Sequence, residues 1–435
     1  MIFNHIFLFF LKFQSLFILL IYFMDDNMKF ISNLIPLEDA LAKIDENQKL
    51  MDTEKVHIRD SQGRVLAHSI SSYHNSPPFD KSAMDGYAVI AEDTFGASNN
   101  VIKELKIIDR IGAGDFSDKT LSNGEAIVIA TGAPIPNGAN AVLMKEFTYE
   151  NGDNLEIHSQ VTPGENISPK AEDIAEGDEL LGENVLIRPQ EMGLIASAGH
   201  SEVEVYKKPR VKLLITGNEL VEPSPELDKA KIINSNQFSI AALIRSAGAI
   251  VDIEHGADDF EAVKEAIDKA TKEYDVVITT GGTAISKGDV VIEAVEELGE
   301  VLFHGVAMRP GKPVGAGIVN GTQIFMLSSQ PVAAMGQFDI VARRYLFKMQ
   351  GLDYSHKVIN RVSKTKIPSS LGRTDYVRAV ADDTGVHHVL NRGSGIIRSM
   401  VEANCYIIID ENHEGIEKGD EVDLIFFNDM AWPSL

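Results

Sequence analysis

Between residues 208 and 350, short apolar runs of strand length alternate with periodic helical segments, and this alternation constrains the fold more than any other feature. Segments 211–216, 251–254, 276–280, 301–303 and 324–327 read as strands, and 238–247, 260–274, 290–298 and 332–349 as helices. Asn234, Ser235 and Asn236 supply caps for the first of these helices. Strands separated by helices predict a doubly wound α/β sheet, in which ligands sit beyond the carboxyl ends of the strands. Those ends read Thr216-Gly217-Asn218-Glu219 and Thr279-Thr280-Gly281-Gly282-Thr283. Glycine opens backbone N–H groups to a close ligand and threonine adds hydroxyls, so phosphate is a natural guest. An ordinary strand–turn–helix junction uses the same residues. Two such loops in one sheet, each followed by a carboxylate (Glu219, Asp289), favour a site. Asp258 and Asp259 add a third acidic edge, and carboxylates around phosphate call for a hard bridging cation such as Mg2+. Capping of the helix at Phe260 is an equal reading of that pair.

The flanking regions read differently. A helix is expected from Leu37, with Pro36 at its first turn. Residues 73–176 alternate short strands with Gly, Pro and Asn turns, a mostly β module, and 177–207 hold a short strand, a helix near 190–199 and the strand 202–206. From 351 only strand-like runs occur, which predicts a small β-barrel or sandwich. The sequence Met308-Arg309-Pro310-Gly311-Lys312-Pro313 sets two cations about a rigid turn, suited to a tetrahedral oxyanion. Arg373 and Ser394 offer further anion donors from the tail.

Charge narrows the classes of partner. The 64 acidic residues exceed the 40 basic ones, for a net charge of −24, which argues against a nucleic-acid binder but not against a small anion held by local cations. The single cysteine, Cys405, excludes an intramolecular disulfide and any Cys-cluster metal site, and fits a reducing cytoplasm. Residues 1–23 are almost wholly apolar and long enough to span a bilayer. Lys12 lies mid-segment, no basic cluster precedes it, and Met24 and Met28 follow at once. A membrane anchor and an upstream start assignment compete here. The expectation is a cytoplasmic chain beginning at Met24 or Met28, with residues 1–27 an extension.

The combination FDKSAMDGYAV, IATGAPIP, AEDI, TGNEL, TTGGTAISKGD and RPGKP, in this order from Met28 to Phe427, resembles the molybdopterin molybdenumtransferases, which are similar to the carboxy-terminal half of gephyrin. The resemblance implies four domains: a discontinuous elongated domain (28–72 and 177–207), an inserted β module (73–176), a molybdopterin-binding α/β domain (208–350) and a C-terminal β-barrel (351–435). It implies a homodimer with its site between the α/β domain of one copy and the β module of the other. Matched by motif, Asp85, Thr131 and Asp173 come from the β module. Gly217, Glu219, Asp258, Gly281, Gly282, Thr283 and Asp289 bind pterin phosphate, with Glu219 and Asp289 on Mg2+. Arg309, Lys312 and Pro313 match the oxyanion-holding loop, joined by Arg373 and Ser394. Two motifs depart from the family. Only Lys170 remains of a basic run before Asp173, and the LPGNPVS loop reads Leu327-Ser328-Ser329-Gln330-Pro331-Val332-Ala333, where Ser328 becomes a candidate donor.

The implied reaction takes adenylylated molybdopterin and molybdate or tungstate, and releases AMP with Mg2+ present. A molybdopterin-binding scaffold or cofactor carrier without turnover is the alternative. Retention of both the carboxylates and the RPGKP cations favours the enzyme.

Overall fold

The computed structural model describes residues 34–256, 258–281, 289–390 and 393–427; the apolar extension 1–27, Gly282 and Thr283 lie outside the described residues. Among those described, no helix is long and apolar enough to cross a membrane. The chain forms two units, one of residues 55–205 and the other of the residues before 55 and after 205.

In the unit of residues 55–205, six strands form one sheet in the order Ala141–Met144, Gly86–Val89, Glu125–Ile129, Lys103–Ile111, Asn154–Ile157, Thr148–Asn151. Its two faces bury separate apolar clusters. Tyr87, Val89, Leu105 and Leu143 lie in one, and Ala88, Ile127, Ile129 and Val142 in the other, the period-2 signature of a sheet covered on both sides. A smaller core gathers Leu66, Ile70, Leu181, Ile187, Ile195 and Val205. It joins chain segments more than a hundred residues apart through pairs such as Ile187 N–H to Arg64 O at 2.8 Å.

The other unit is built on a second six-stranded sheet, ordered Ile250–Gly256, Arg210–Thr216, Val276–Thr280, Thr322–Leu327, Gly315–Val319, Gly299–His304. The first four strands are parallel. Leu214, Val277, Ile324 and Met326 pack with Val263, Ile267, Val291 and Val295 of the helices Phe260–Glu273 and Val290–Leu298. The alternate residues Leu213, Ile278 and Phe325 are also fully buried, so helices cover both faces as the doubly wound reading requires.

Three features correct the sequence reading of this sheet. The last two strands run antiparallel to their neighbours, and Gly315–Val319 was not anticipated. The turn joining Gly315–Val319 to Thr322–Leu327 is Asn320-Gly321, both at positive φ (51° and 74°), the pairing a tight hairpin favours. The expected single helix over 332–349 is split, with a π-helical turn at Phe338–Ala342 between Pro331–Gln337 and Arg343–Met349. A buried ion pair, Arg343 to Asp339 at 2.6 Å, spans the break. The helix expected from Phe238 begins at Asn236 instead, and Asn234, one of the expected caps, accepts the Gln237 N–H through Oδ1 at 3.2 Å.

Met308–Arg309 and the later strands Thr374–Asp382, Cys405–Ile409, Glu421–Phe426 and Ile359–Val362, in that order, form a third sheet, with Gly385–His388 beside Thr374–Asp382. Its core holds Ile367, Ala379, Val386, Ile407 and Leu424, and the buried Cys405. The sheet's far strands meet at one bridge, Ser363 with Val386, rather than along a ladder. Because Met308–Arg309 belongs to this sheet, the RPGKP turn is anchored to the tail as well as to the α/β layer.

Candidate functional site

Three parallel strands end side by side, and their loops form a continuous row. Gly281 sits at φ 106°, where a Cβ would lie 2.4 Å from the Thr216 carbonyl oxygen and 2.7 Å from its Oγ1. Only glycine fits that close approach. On the other side, the Gly281 N–H points at Leu327 O (3.4 Å). The row continues through Ser328, whose N–H donates to Gln337 Oε1 at 2.7 Å, while Gln337 Nε2 donates to Gly311 O at 2.8 Å. The strand ends and the RPGKP turn therefore lie along one edge.

The acidic groups gather at the first part of this row. A Cβ on Gly217 would come within 3.0 Å of both Glu219 carboxylate oxygens, so Glu219 curls back over the strand end. Asp289 begins the helix Val290–Leu298, and its Oδ1 accepts the N–H groups of Val291 (3.2 Å) and Ile292 (3.3 Å). Its Oδ2 is buried with no hydrogen-bond partner among the described residues. Burial pushes the Asp289 pKa up to about 7; the two helix N–H bonds oppose that rise, and the nearby charges of Asp258 and Glu293 add to it. Asp259 caps its helix through Ala262 N–H, whereas Asp258 stays exposed with its own N–H toward Asn218 Oδ1 (3.4 Å). The pair thus divides into one cap and one carboxylate near Asp289. Thr216, Thr279 and Thr280 carry buried hydroxyls without partners among the described residues.

The donors here are all oxygen. Among the described residues no three His, Cys, Asp or Glu side chains converge into a closed metal cage. An open, oxygen-only set with one orphaned carboxylate oxygen fits Mg2+, which keeps waters and substrate phosphates and takes one or two protein carboxylates.

At the far end of the row Asp375, fully buried, is bonded by Arg309, by Arg373 Nε (3.1 Å) and by Ser369 Oγ (2.6 Å). That one carboxylate brings together two arginines 64 residues apart in sequence and leaves each partly exposed, with side chains 43% and 33% accessible. Lys312 and Pro313 follow on the same turn, half-buried. Ser394 reaches the row through its carbonyl, which accepts the Val332 N–H at 2.9 Å. The Ser328 hydroxyl is engaged inside its own loop, where it accepts the Gln330 N–H at 3.2 Å.

The unit of residues 55–205 holds a cluster of its own. Asp85 accepts Thr131 N–H and Oγ1–H, both at 2.8 Å, and has Lys145 Nζ at 3.7 Å. The Thr131 bonds, backbone first, hold the Asp85 carboxyl below its ordinary pKa. Strand Ile167–Ser168 pairs with Lys81–Ser82, which draws segment 167–173 alongside. Asp173 is exposed on it, and its N–H donates to Ser76 O (3.0 Å). Sequence reasoning missed Gln337, Asp375 and Lys145. A lone Gln inside the otherwise apolar run 332–338 was a usable signal, since a buried amide must find partners.

Comparison with known proteins finds three family models along the chain. Residues 35–199 match the family model "MoeA N-terminal region (domain I and II)", 212–348 match "Probable molybdopterin binding domain", and 360–427 match "MoeA C-terminal region (domain IV)". A molybdopterin molybdenumtransferase of Staphylococcus aureus is 35% identical over 401 residues, covering 90% of this chain and 96% of its own. That of Bacillus subtilis is 34% identical over 418 residues, covering 92% and 96%. The crystal structure of a molybdopterin biosynthesis moeA protein from Pyrococcus horikoshii superposes with a TM-score of 0.79 at 33% identity, over 91% of this chain and all of that one. With three family models matched in succession and relatives of 34–35% identity covered over nearly their whole length, the chain belongs to the molybdopterin molybdenumtransferase family of enzymes.

Proposed function

We propose that the chain inserts molybdate or tungstate into adenylylated molybdopterin, with Mg2+-dependent release of AMP, to give molybdenum cofactor. The molybdopterin-binding domain and the relatives' names support a role in molybdenum-cofactor biosynthesis with molybdopterin as substrate. The finer reading rests chiefly on the unbroken row from Thr216 through Gly281 and Ser328 to Gly311, because it sets a phosphate-type edge next to an oxyanion-type turn.

In this reading the Thr216–Gly217 and Thr280–Gly281 loops hold the pterin phosphate, and Asp289 with Glu219 holds Mg2+, Asp258 lying at the rim. A Mg2+ held by those carboxylates would supply charge neutralisation and polarisation of the pyrophosphate. Arg309 and Lys312, with Arg373 and Ser394, gather the oxyanion close to the dithiolene sulfurs, which turns an intermolecular ligand exchange into a local one. A second copy of the chain in a homodimer contributes Asp85, Thr131 and Asp173, and the water-soluble substrates assign the reaction to the cytoplasm.

The test is AMP release by the purified chain from adenylylated molybdopterin with Mg2+, with and without molybdate. Oxyanion-dependent release, lost in Asp289→Asn and Glu219→Gln at limiting Mg2+, is expected. Binding of the pterin without any turnover would instead support the scaffold or carrier.

A further inference from the structure

We propose that the Gln337 side chain is a positioning residue, a two-ended spacer that fixes the gap between the Ser328 loop and the Arg309–Lys312 turn and thereby sets the affinity for a tetrahedral oxyanion. The inference rests on the reading of that edge given under Proposed function. Gln337 is fully buried at the end of the helix Pro331–Gln337. Its amide is satisfied at both ends by backbone of different loops, Oε1 by Ser328 N–H and Nε2 by Gly311 O.

The fit is close on the turn side. Gly311 lies at φ 106°, and a Cβ there would fall 2.6 Å from Gln337 Cγ, so the turn rests directly on the glutamine stem. Each loop is also pinned elsewhere. Asp375 bonds Arg309, and Asn236 Nδ2 donates to Ser329 O at 2.9 Å. The separation of the two loops is therefore set where the amide stands. Without it, a buried N–H and a buried C=O face one another across the gap and bond directly only if the loops move together. Such a collapse narrows the space in which Arg309 and Lys312 meet an anion.

Gln350 supplies a matched control. It is equally buried, and its Nε2 donates to Ala247 O and Leu346 O, both at 2.9 Å, where the helix Asn236–Ser246 has ended, away from the end at which Asn236 meets the Ser329 loop.

The experiment compares the full chain with Gln337→Met and Gln350→Met, by molybdate and tungstate titration, thermal melting and hydrogen exchange. Gln337→Met is expected to weaken molybdate binding by about tenfold or more, and to speed exchange in 309–313 and 327–331 together. Gln350→Met is expected to lower the melting temperature comparably and leave molybdate affinity unchanged. Wild-type-like molybdate affinity in Gln337→Met overturns the proposal, since the residue then only packs a helix; unchanged exchange in the two loops overturns it whatever the affinities. If the wild-type chain binds neither oxyanion, the reading of the edge fails. The exchange data then still report whether Gln337 couples the loops.

Discussion

Asp289→Asn should make the metal-free protein more stable at neutral pH. The native carboxyl is nearly buried, 7% exposed, and its pKa is pushed from 3.8 to about 7. Between those values the folded state keeps a proton that the unfolded state has released, so stability falls as pH rises. The stability is fully present below about 3.8 and has been lost by the time pH passes about 7. Each pH unit in that window is worth about 1.4 kcal/mol, which gives about 4 kcal/mol across it and about 2–3 kcal/mol between pH 5 and 8. Asparagine caps a helix as well as aspartate does, so the bonds from Val291 and Ile292 survive the change. Urea unfolding in EDTA at pH 5 and 8 is the assay. The wild type should lose about 2–3 kcal/mol more than the variant between the two pH values. Added Mg2+ should then recover stability in the wild type only. Equal pH slopes in the two proteins, or a variant less stable at pH 8, would refute the account of Asp289 as a desolvated carboxylate kept for a cation.

Other outcomes follow from the same geometry. Arg309→Ala should weaken oxyanion binding by about 1.5–3 kcal/mol, the value of one charge-assisted bond, and lower the melting temperature because buried Asp375 loses a partner; calorimetric titration and melting read both. Gly281→Ala should cost about 2 kcal/mol or more in urea unfolding, since its Cβ meets the Thr216 carbonyl and φ is 106°. Thr131→Val should raise the Asp85 pKa toward its ordinary value, a shift readable by NMR titration, because the hydroxyl bond that lowers it is gone.

The elements that carry a single clear period were legible in the sequence. Strand Val276–Thr280 and helix Val290–Leu298 fall where the apolar pattern puts them, and the strand-end glycines mark the edge that gathers the site. What escaped depended on partners remote in the chain. Strand Gly315–Val319 is short and glycine-interrupted, and only the Asn320-Gly321 turn betrays it. Arg309 and Arg373 looked like independent anion donors, yet one buried carboxylate, Asp375, holds both, a relation that no local spacing encodes. Ser328 reads as a donor from sequence, and only the folded loop shows that its oxygen also accepts the Gln330 N–H, with the hydroxyl proton still able to donate. Asp289 reads as a carboxylate beside the glycine loop; that it also caps the helix Val290–Leu298, and that its second oxygen is left buried behind the cap, emerge only from the packing around it.

The most direct test of the central claim is a stoichiometry. The full chain is incubated with adenylylated molybdopterin, Mg2+ and molybdate, and the AMP released and the molybdenum bound to the pterin are quantified together. The account predicts that the two appear in equal amounts and that neither appears when molybdate is withheld. AMP released at the same rate without an oxyanion, or molybdenum bound without AMP release, would contradict it.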